Sequence, residues 1–243
     1  MRRISGLAFA LYLAAITFFF FFLHDPNLSV YAAIIDLAFV LAAAVVFWAV
    51  AARAQEGPDR IWYRVSVGLL IWCLAIVLKV LERWLKQPEY ATLADSFWIA
   101  GYFPMLSGSY LWFRETSLGR SKRLAVTIPV ILAGGLILAA FQMPLFLDPV
   151  RPAVKKILDL LYVTFDLLII GLLAVPAMKP AERGARTLMI AEVVFLVSDL
   201  LFIHFGESYS SPVFPFLDFP YTTGYYLLLL SGFKQYEQGH QAG

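Results

Sequence analysis

Eight stretches of roughly 20 mostly apolar residues, separated by short polar breaks, run through this chain from end to end. At about 1.5 Å of rise per residue, helices of this length span most or all of the ~30 Å hydrocarbon core of a bilayer, the last, which begins at Asp218, being the short one. The candidate spans are Ile4–Leu23, Val30–Ala52, Ile61–Leu85, Ser96–Phe113, Leu124–Phe141, Val154–Ala177, Arg186–His204 and Asp218–Gly232. Between them lie turn-forming residues: His24-Asp25-Pro26-Asn27, Glu56-Gly57-Pro58-Asp59, Leu118-Gly119-Arg120-Ser121, Asp148-Pro149 and Lys179-Pro180. Hydrophobic residues make up 61% of the chain, against roughly 45–50% in water-soluble domains. The expected fold is an all-α membrane protein with eight transmembrane helices.

The first stretch follows Met1-Arg2-Arg3, as in a secretory signal. It leads into Phe22-Leu23-His24-Asp25-Pro26 and lacks a small-x-small cleavage site, so it is read as the first membrane helix. In the eight-span arrangement 13 of the 19 Lys and Arg fall on one side of the membrane and six on the other. The excess of positive charge marks the cytoplasmic side, so both termini are expected to be cytoplasmic. Trp62, Tyr63, Trp112 and Tyr236 on that side, and Trp84, Tyr90 and Tyr209 on the other, fall near the expected interfaces.

A shift of 123 positions aligns the two halves of the chain without a gap. Asp25-Pro26 falls on Asp148-Pro149, Asp36-Leu37 on Asp159-Leu160, Asp59-Arg60 on Glu182-Arg183, Asp95 on Asp218, and Gly101-Tyr102 on Gly224-Tyr225. Any two membrane segments share Leu, Val and Ala, so the polar, Pro and Gly matches carry the comparison. They divide the chain into a first four-helix repeat (1–118), a second (119–237) and a short cytoplasmic tail (238–243). Four helices per unit is an even number, so both copies enter the membrane in the same sense. The expectation is two tandem parallel repeats about a pseudo-two-fold axis along the membrane normal, with a cavity or contact surface where they meet.

Ionisable residues inside membrane helices are costly and normally face protein or water. Asp159 and Asp166 lie seven apart on the sixth helix with Tyr162 between them, a spacing that puts all three on one face. Glu192 and Asp199 repeat that spacing on the seventh, next to Ser198. The first repeat has Leu69, Ile76 and Ala43 where the second has Glu192, Asp199 and Asp166. It carries Lys79, Glu82 and Arg83 on its third helix instead. Glu82 can pair locally with Lys79, and Lys79 can reach across the repeat axis to an acid of the second half. Two readings follow for Asp159, Tyr162, Asp166, Glu192, Ser198, Asp199 and Lys79. They fasten helices together, or they line a pocket for an ion or a polar ligand.

Other chemistry is sparse. The net charge of +2 and the absence of basic clusters with interleaved aromatics argue against nucleic acid as a partner. The single cysteine, Cys73, sits in an apolar run and reads as a small core residue. No metal-ligand spacing occurs around His24, His204 or His240, no Walker loop, nucleophile elbow or dinucleotide fingerprint is present, and nothing names a cofactor. Ser107-Gly108-Ser109 and Gly134-Gly135 read as close helix contacts, and Pro104, Pro129 and Pro176 as kinks and candidate hinges.

The segment Leu93-Ala-Asp95-Ser-Phe-Trp-Ile-Ala-Gly101-Tyr102-Phe-Pro104 resembles a signature of the multi-helix membrane sensor regions that precede bacterial diguanylate cyclase, phosphodiesterase or histidine-kinase outputs. Leu158-Asp159 to Tyr162 with Asp166, Ser198-Asp199 to Phe202, and Asp218 to Gly224-Tyr225 fit the later helices of the same family. The likeness implies location in the bacterial inner membrane and a role in signal reception. The chain ends at Gly243 without an output domain, so the resemblance implies the membrane module alone. The expected function is therefore a non-enzymatic, sensor-like or accessory module. It would act through helix contacts with another membrane or signalling protein, and bind a small polar or cationic ligand between its repeats. The alternative is a small ion- or proton-coupled transporter using the acidic stripe of the second repeat.

Overall fold

The computed structural model describes residues 2–21, 28–53, 59–85, 92–180, 182–205 and 214–241. His24, Asp25-Pro26, Tyr90, Glu207 and Tyr209 lie outside the described residues. The described residues form eight helices: α1 (Arg2–Phe21), α2 (Leu28–Arg53), α3 (Asp59–Trp84), α4 (Leu93–Glu115), α5 (Arg120–Leu147), α6 (Ala153–Ala177), α7 (Arg183–Phe205) and α8 (Phe214–Gln241). Strands are absent among them. Five helices, α2, α3, α5, α6 and α7, are long and apolar enough to cross a membrane. Their outward faces carry exposed large apolar side chains, such as Leu41 and Val45 on α2, Leu74 on α3, Leu132 and Leu136 on α5, and Val197 on α7. A surface of that kind matches acyl chains better than water.

The helices begin and end close to the hydropathy breaks, except that α5 outruns the expected Leu124–Phe141 at both ends and α8 differs further. The last span was expected at Asp218–Gly232, but α8 starts at Phe214 and runs on to Gln241. The helix carries Pro220 in its first two turns, and the chain past Gly232 is polar, so hydropathy marks neither end. Residues 238–241, expected as tail, belong to this helix.

α2 with α3, α3 with α4, α5 with α6, α6 with α7 and α7 with α8 pack as antiparallel neighbours. Ser66 Oγ donates to the Ala44 carbonyl between α3 and α2 at 2.8 Å, and Trp72 Nε1 donates to the Trp98 carbonyl between α3 and α4 at 3.0 Å. Thr127 Oγ1 donates to the Gly171 carbonyl between α5 and α6 at 3.0 Å, and Ser231 Oγ to the Gly184 carbonyl between α8 and α7 at 2.8 Å. Of the contacts that join the halves, which include α1 on α8, two run parallel. Along α2 and α8, Thr222 Oγ1 donates to Asp36 at 2.5 Å, Phe39 meets Tyr226, and Arg53 lies over the Tyr236 ring. Along α4 and α6, Tyr162 OH donates to Asp95 at 2.9 Å, Tyr102 OH donates to Asp166 at 2.7 Å, and Phe103 meets Phe165. The apolar core runs through both halves, from Phe47 and Trp62 to Leu188 and Leu228.

Contacts recur at the 123-residue offset. Trp72 lies edge-on to Tyr102 at 5.1 Å between ring centres, and Phe195 lies edge-on to Tyr225 at 5.0 Å. A Cβ on Gly101 would stand 2.3 Å from the Trp72 ring, and one on Gly224 would stand 2.7 Å from the Phe195 ring. Glycine at both positions is thus the condition for seating a ring from the neighbouring helix. Gly108 approaches the backbone of α3 at Ile61, and its counterpart Ser231 hydrogen-bonds the backbone of α7 at Gly184. Trp72 and Phe195, themselves 123 residues apart, meet edge-on at 5.6 Å.

Not everything is matched. α5 packs along α6, whereas α1 touches α2 only slightly and leans on α8. Of the small-residue clusters, Gly108 packs against α3 and Gly134 against Leu167 of α6, while Gly135 has only one side-chain atom near the position of a Cβ. Helices continue through Pro104, Pro129, Pro144 and Pro220, and Pro176 lies in the last turn of α6.

Candidate functional site

Where the two halves meet, toward the end of the bundle opposite Arg53, Arg64 and Arg114, lies a cavity of about 240 Å³. Six helices line it: α2, α3 and α4 from the first half, and α6, α7 and α8 from the second. The lining is organised in facing positions 123 apart: Asp36 and Asp159, Trp72 and Phe195, Ile76 and Asp199, Asp95 and Asp218, Trp98 and Tyr221, Tyr102 and Tyr225. Its outer part reaches Arg83, which is exposed, and its inner part ends on Trp72, Tyr102, Phe195 and Tyr225, all buried.

Four of the five acids of the lining are held by named groups. Asp95 closes a capping box at the start of α4: its Oδ2 accepts from the Thr92 amide at 2.9 Å and from Thr92 Oγ1 at 3.1 Å. Its Oδ1 accepts from Tyr162, so the group that starts α4 also ties it to α6. Asp36 accepts from Thr222 of α8. Asp159 forms an ion pair with Arg151, whose side chain is 3% exposed. Asp218 of α8 and Arg83 of α3 both line the cavity, one from each half. Asp199 accepts from Tyr221 OH at 2.6 Å. Its neighbour Asp166 on α6 keeps one carboxyl oxygen, Oδ2, buried without a hydrogen-bond partner.

Of the seven residues expected to form a pocket, four line the cavity: Lys79, Asp159, Tyr162 and Asp199. Three do not. Asp166 is fully buried just behind the floor, bonded to Tyr102. Ser198 turns to its own helix and donates to the Val194 carbonyl at 2.7 Å, an alternative open to any helical serine. Glu192 lies two turns below Asp199 on α7, fully buried, and neither of its carboxyl oxygens has a hydrogen-bond partner. Glu82, expected beside Lys79, uses Oε1 to accept the Ala94 amide at 3.0 Å, at the start of α4.

The repeat signature divides as well. Asp36, Asp95, Tyr102, Asp218 and Tyr225 reach the cavity, while Gly101 and Gly224 serve it indirectly by admitting the rings of Trp72 and Phe195. Sequence reasoning missed Trp72, Trp98, Phe195 and Tyr221. Aromatic residues in an apolar run look like packing. The available signal was that all four fall on one another at the 123-residue offset.

Among the described residues, no three His, Cys, Asp or Glu side chains are grouped so as to hold a metal ion. Cys73 is buried in the core beside Trp72. His204 bonds through Nδ1 to the Leu200 carbonyl of its own helix at 2.8 Å, away from the cavity. Compared with known proteins, the chain matches no family model, no curated protein and no solved structure.

Proposed function

We propose that this protein is a polytopic receptor module of the bacterial cytoplasmic membrane, binding a small solute from the outer side and passing its occupancy to a partner protein. All eight helices cross the bilayer in this reading. The criterion of apolar length leaves out three helices: α1, of which Gly6–Phe18 counts as a shorter apolar stretch, and α4 and α8, which carry polar side chains inward, to the cavity and to their neighbours. The two halves are tandem repeats related by a pseudo-two-fold axis. The recurrence of ring, glycine and cross-half contacts at one offset supports this. The single observation that carries the functional reading is the cavity on that axis, lined from both halves by converging hydroxyls, carboxyls and rings. The likeness to membrane sensor regions supports a role in reception, and the apolar outer face of α5, which packs mainly on α6, suits contact with another membrane helix.

The test is access. In a Cys73→Ala background, Ala33→Cys places a thiol on the cavity wall. A membrane-impermeant maleimide added to intact spheroplasts should label it within minutes, and a photo-crosslinker at Leu136 on α5 should trap a second membrane protein. Absence of labelling from the outside removes the reading.

A second reading is favoured by one observation. From Asp199 on the floor, carboxyls continue inward through Asp166 to the unpartnered Glu192. Such a line suits an ion- or proton-coupled transporter. Ion-dependent solute flux in proteoliposomes that is abolished by Glu192→Gln would select it over the receptor.

A further inference from the structure

Resting on the receptor reading, the class of ligand can be narrowed by three features of the cavity. The first is charge. Five carboxyls (Asp36, Asp95, Asp159, Asp199 and Asp218) line the cavity against Lys79, Arg83 and Lys155. Arg151, behind the wall, already pairs with Asp159, so the excess is of one acidic group, and a monovalent cation is the occupant that balances it.

The second feature is the floor. Trp72 stands nearly perpendicular to Tyr102, Phe195 and Tyr225, at interplanar angles of 74°, 77° and 79°. Trp98 lies 5.6 Å from Trp72, and Tyr221 lies 6.4 Å from Phe195. Rings set at right angles make the corner of a box. Aromatic faces attract cations that shed water easily, and organic ammonium groups are the usual occupants of such boxes. Asp199 lies one turn beyond Phe195 on α7, so it can supply a negative charge at the side of this floor.

The third is size and donor type. A cavity of about 240 Å³ is far larger than a bare metal ion needs. The described residues offer no tight group of three metal ligands, whereas a strongly hydrated inorganic ion needs several converging oxygens in place of its water.

We infer that the cavity binds a small organic ammonium compound of about the size of choline, its charged head against the half-buried rings of Trp98 and Tyr221, above the buried Trp72 and Phe195, and its counter-charge supplied by Asp199. The ligand enters past Arg83 and Lys79, head first. Discrimination rests on the positive charge combined with a greasy, weakly hydrated shell, a combination that neither a neutral alcohol nor a potassium ion has.

The experiment uses the full chain in detergent or nanodiscs. Choline, tetramethylammonium, the neutral choline isostere 3,3-dimethylbutan-1-ol and potassium chloride are compared by calorimetry. They are also compared for protection of Ala33→Cys, in the Cys73→Ala background, from maleimide. Choline and tetramethylammonium should bind and slow labelling, and the neutral isostere should bind at least about ten-fold more weakly. Asp199→Asn and Trp98→Leu should each cost about ten-fold or more in choline affinity while the unliganded protein still melts cooperatively. Trp98→Leu keeps the test decisive if the change at Asp199 impairs folding, because the backbone carbonyl of Trp98 that receives Trp72 Nε1 is unaltered. Equal binding of the isostere and choline would overturn the proposal. So would a thiol that labels freely from the outside with no ammonium compound protecting it, an outcome that leaves the receptor reading standing. A thiol that never labels would remove both.

Discussion

At Gly101 and Gly224 a single hydrogen in place of a methyl group decides whether a ring can lie against α4 or α8. The two positions are not equally forgiving. A Cβ on Gly224 would meet only atoms of the Phe195 ring, the nearest at 2.7 Å, whereas a Cβ on Gly101 would also stand 2.9 Å from the Gly68 carbonyl oxygen. A side chain can be trimmed and a backbone oxygen cannot. Gly224→Ala should therefore cost about 1–3 kcal/mol, with much of it recovered by adding Phe195→Val. Gly101→Ala should cost at least as much, and adding Trp72→Val should recover little of it. Unfolding of the four variants in mixed micelles measures both pairs. If the two rescues come out equal, the distinction between ring and backbone is wrong.

Between elements, the buried Arg151–Asp159 ion pair ties the α5–α6 connection to the second turn of α6. Removing one partner leaves the other charge poorly compensated. Arg151→Met should thus destabilise the protein by about 3–5 kcal/mol. The double change Arg151→Met with Asp159→Leu should be close to neutral, because it removes the desolvation cost along with the attraction. Thermal unfolding in detergent checks both, and a double variant as weak as the single one would contradict the account. Most helices could be read from the chain because lipid and apolar core ask for the same residues, so hydropathy marks their length. It fails on α8, where Asp218 and Thr222 turn inward and the helix outlasts its apolar part. The site was legible only in part, for a related reason. Asp159, Tyr162, Asp199 and Lys79 were conspicuous as polar groups in apolar runs. The same logic drew in Ser198, which a helix can satisfy from its own backbone, and Glu192, which shares a face with Asp199 but lies two turns deeper. Spacing along a helix reports direction around its axis and says little about depth in a cavity. The aromatic floor was hidden for the opposite reason: Trp72 and Phe195 look like ordinary packing until the other half of the chain is laid over them.

For the whole molecule, the distribution of basic side chains makes a prediction about topology. Arg53, Arg64, Arg114, Arg123 and Lys234 gather at one end of the bundle and the cavity lies toward the other. A reporter that fluoresces only in the cytoplasm should be bright when fused after Gly243, and a periplasm-dependent phosphatase fused there should be inactive. The reverse pattern would place the cavity on the inner side and invert the direction of reception.

Trp72 opposite Phe195 and Ile76 opposite Asp199 carry one more consequence. A chamber built from identical halves would accept any guest in two interchangeable poses, half a turn apart. Here one flank offers an indole beside an aliphatic wall, and the other a phenyl ring beside a carboxyl. Only one pose satisfies both, so on the proposed repeat and receptor reading the chamber can tell the head of a guest from its tail.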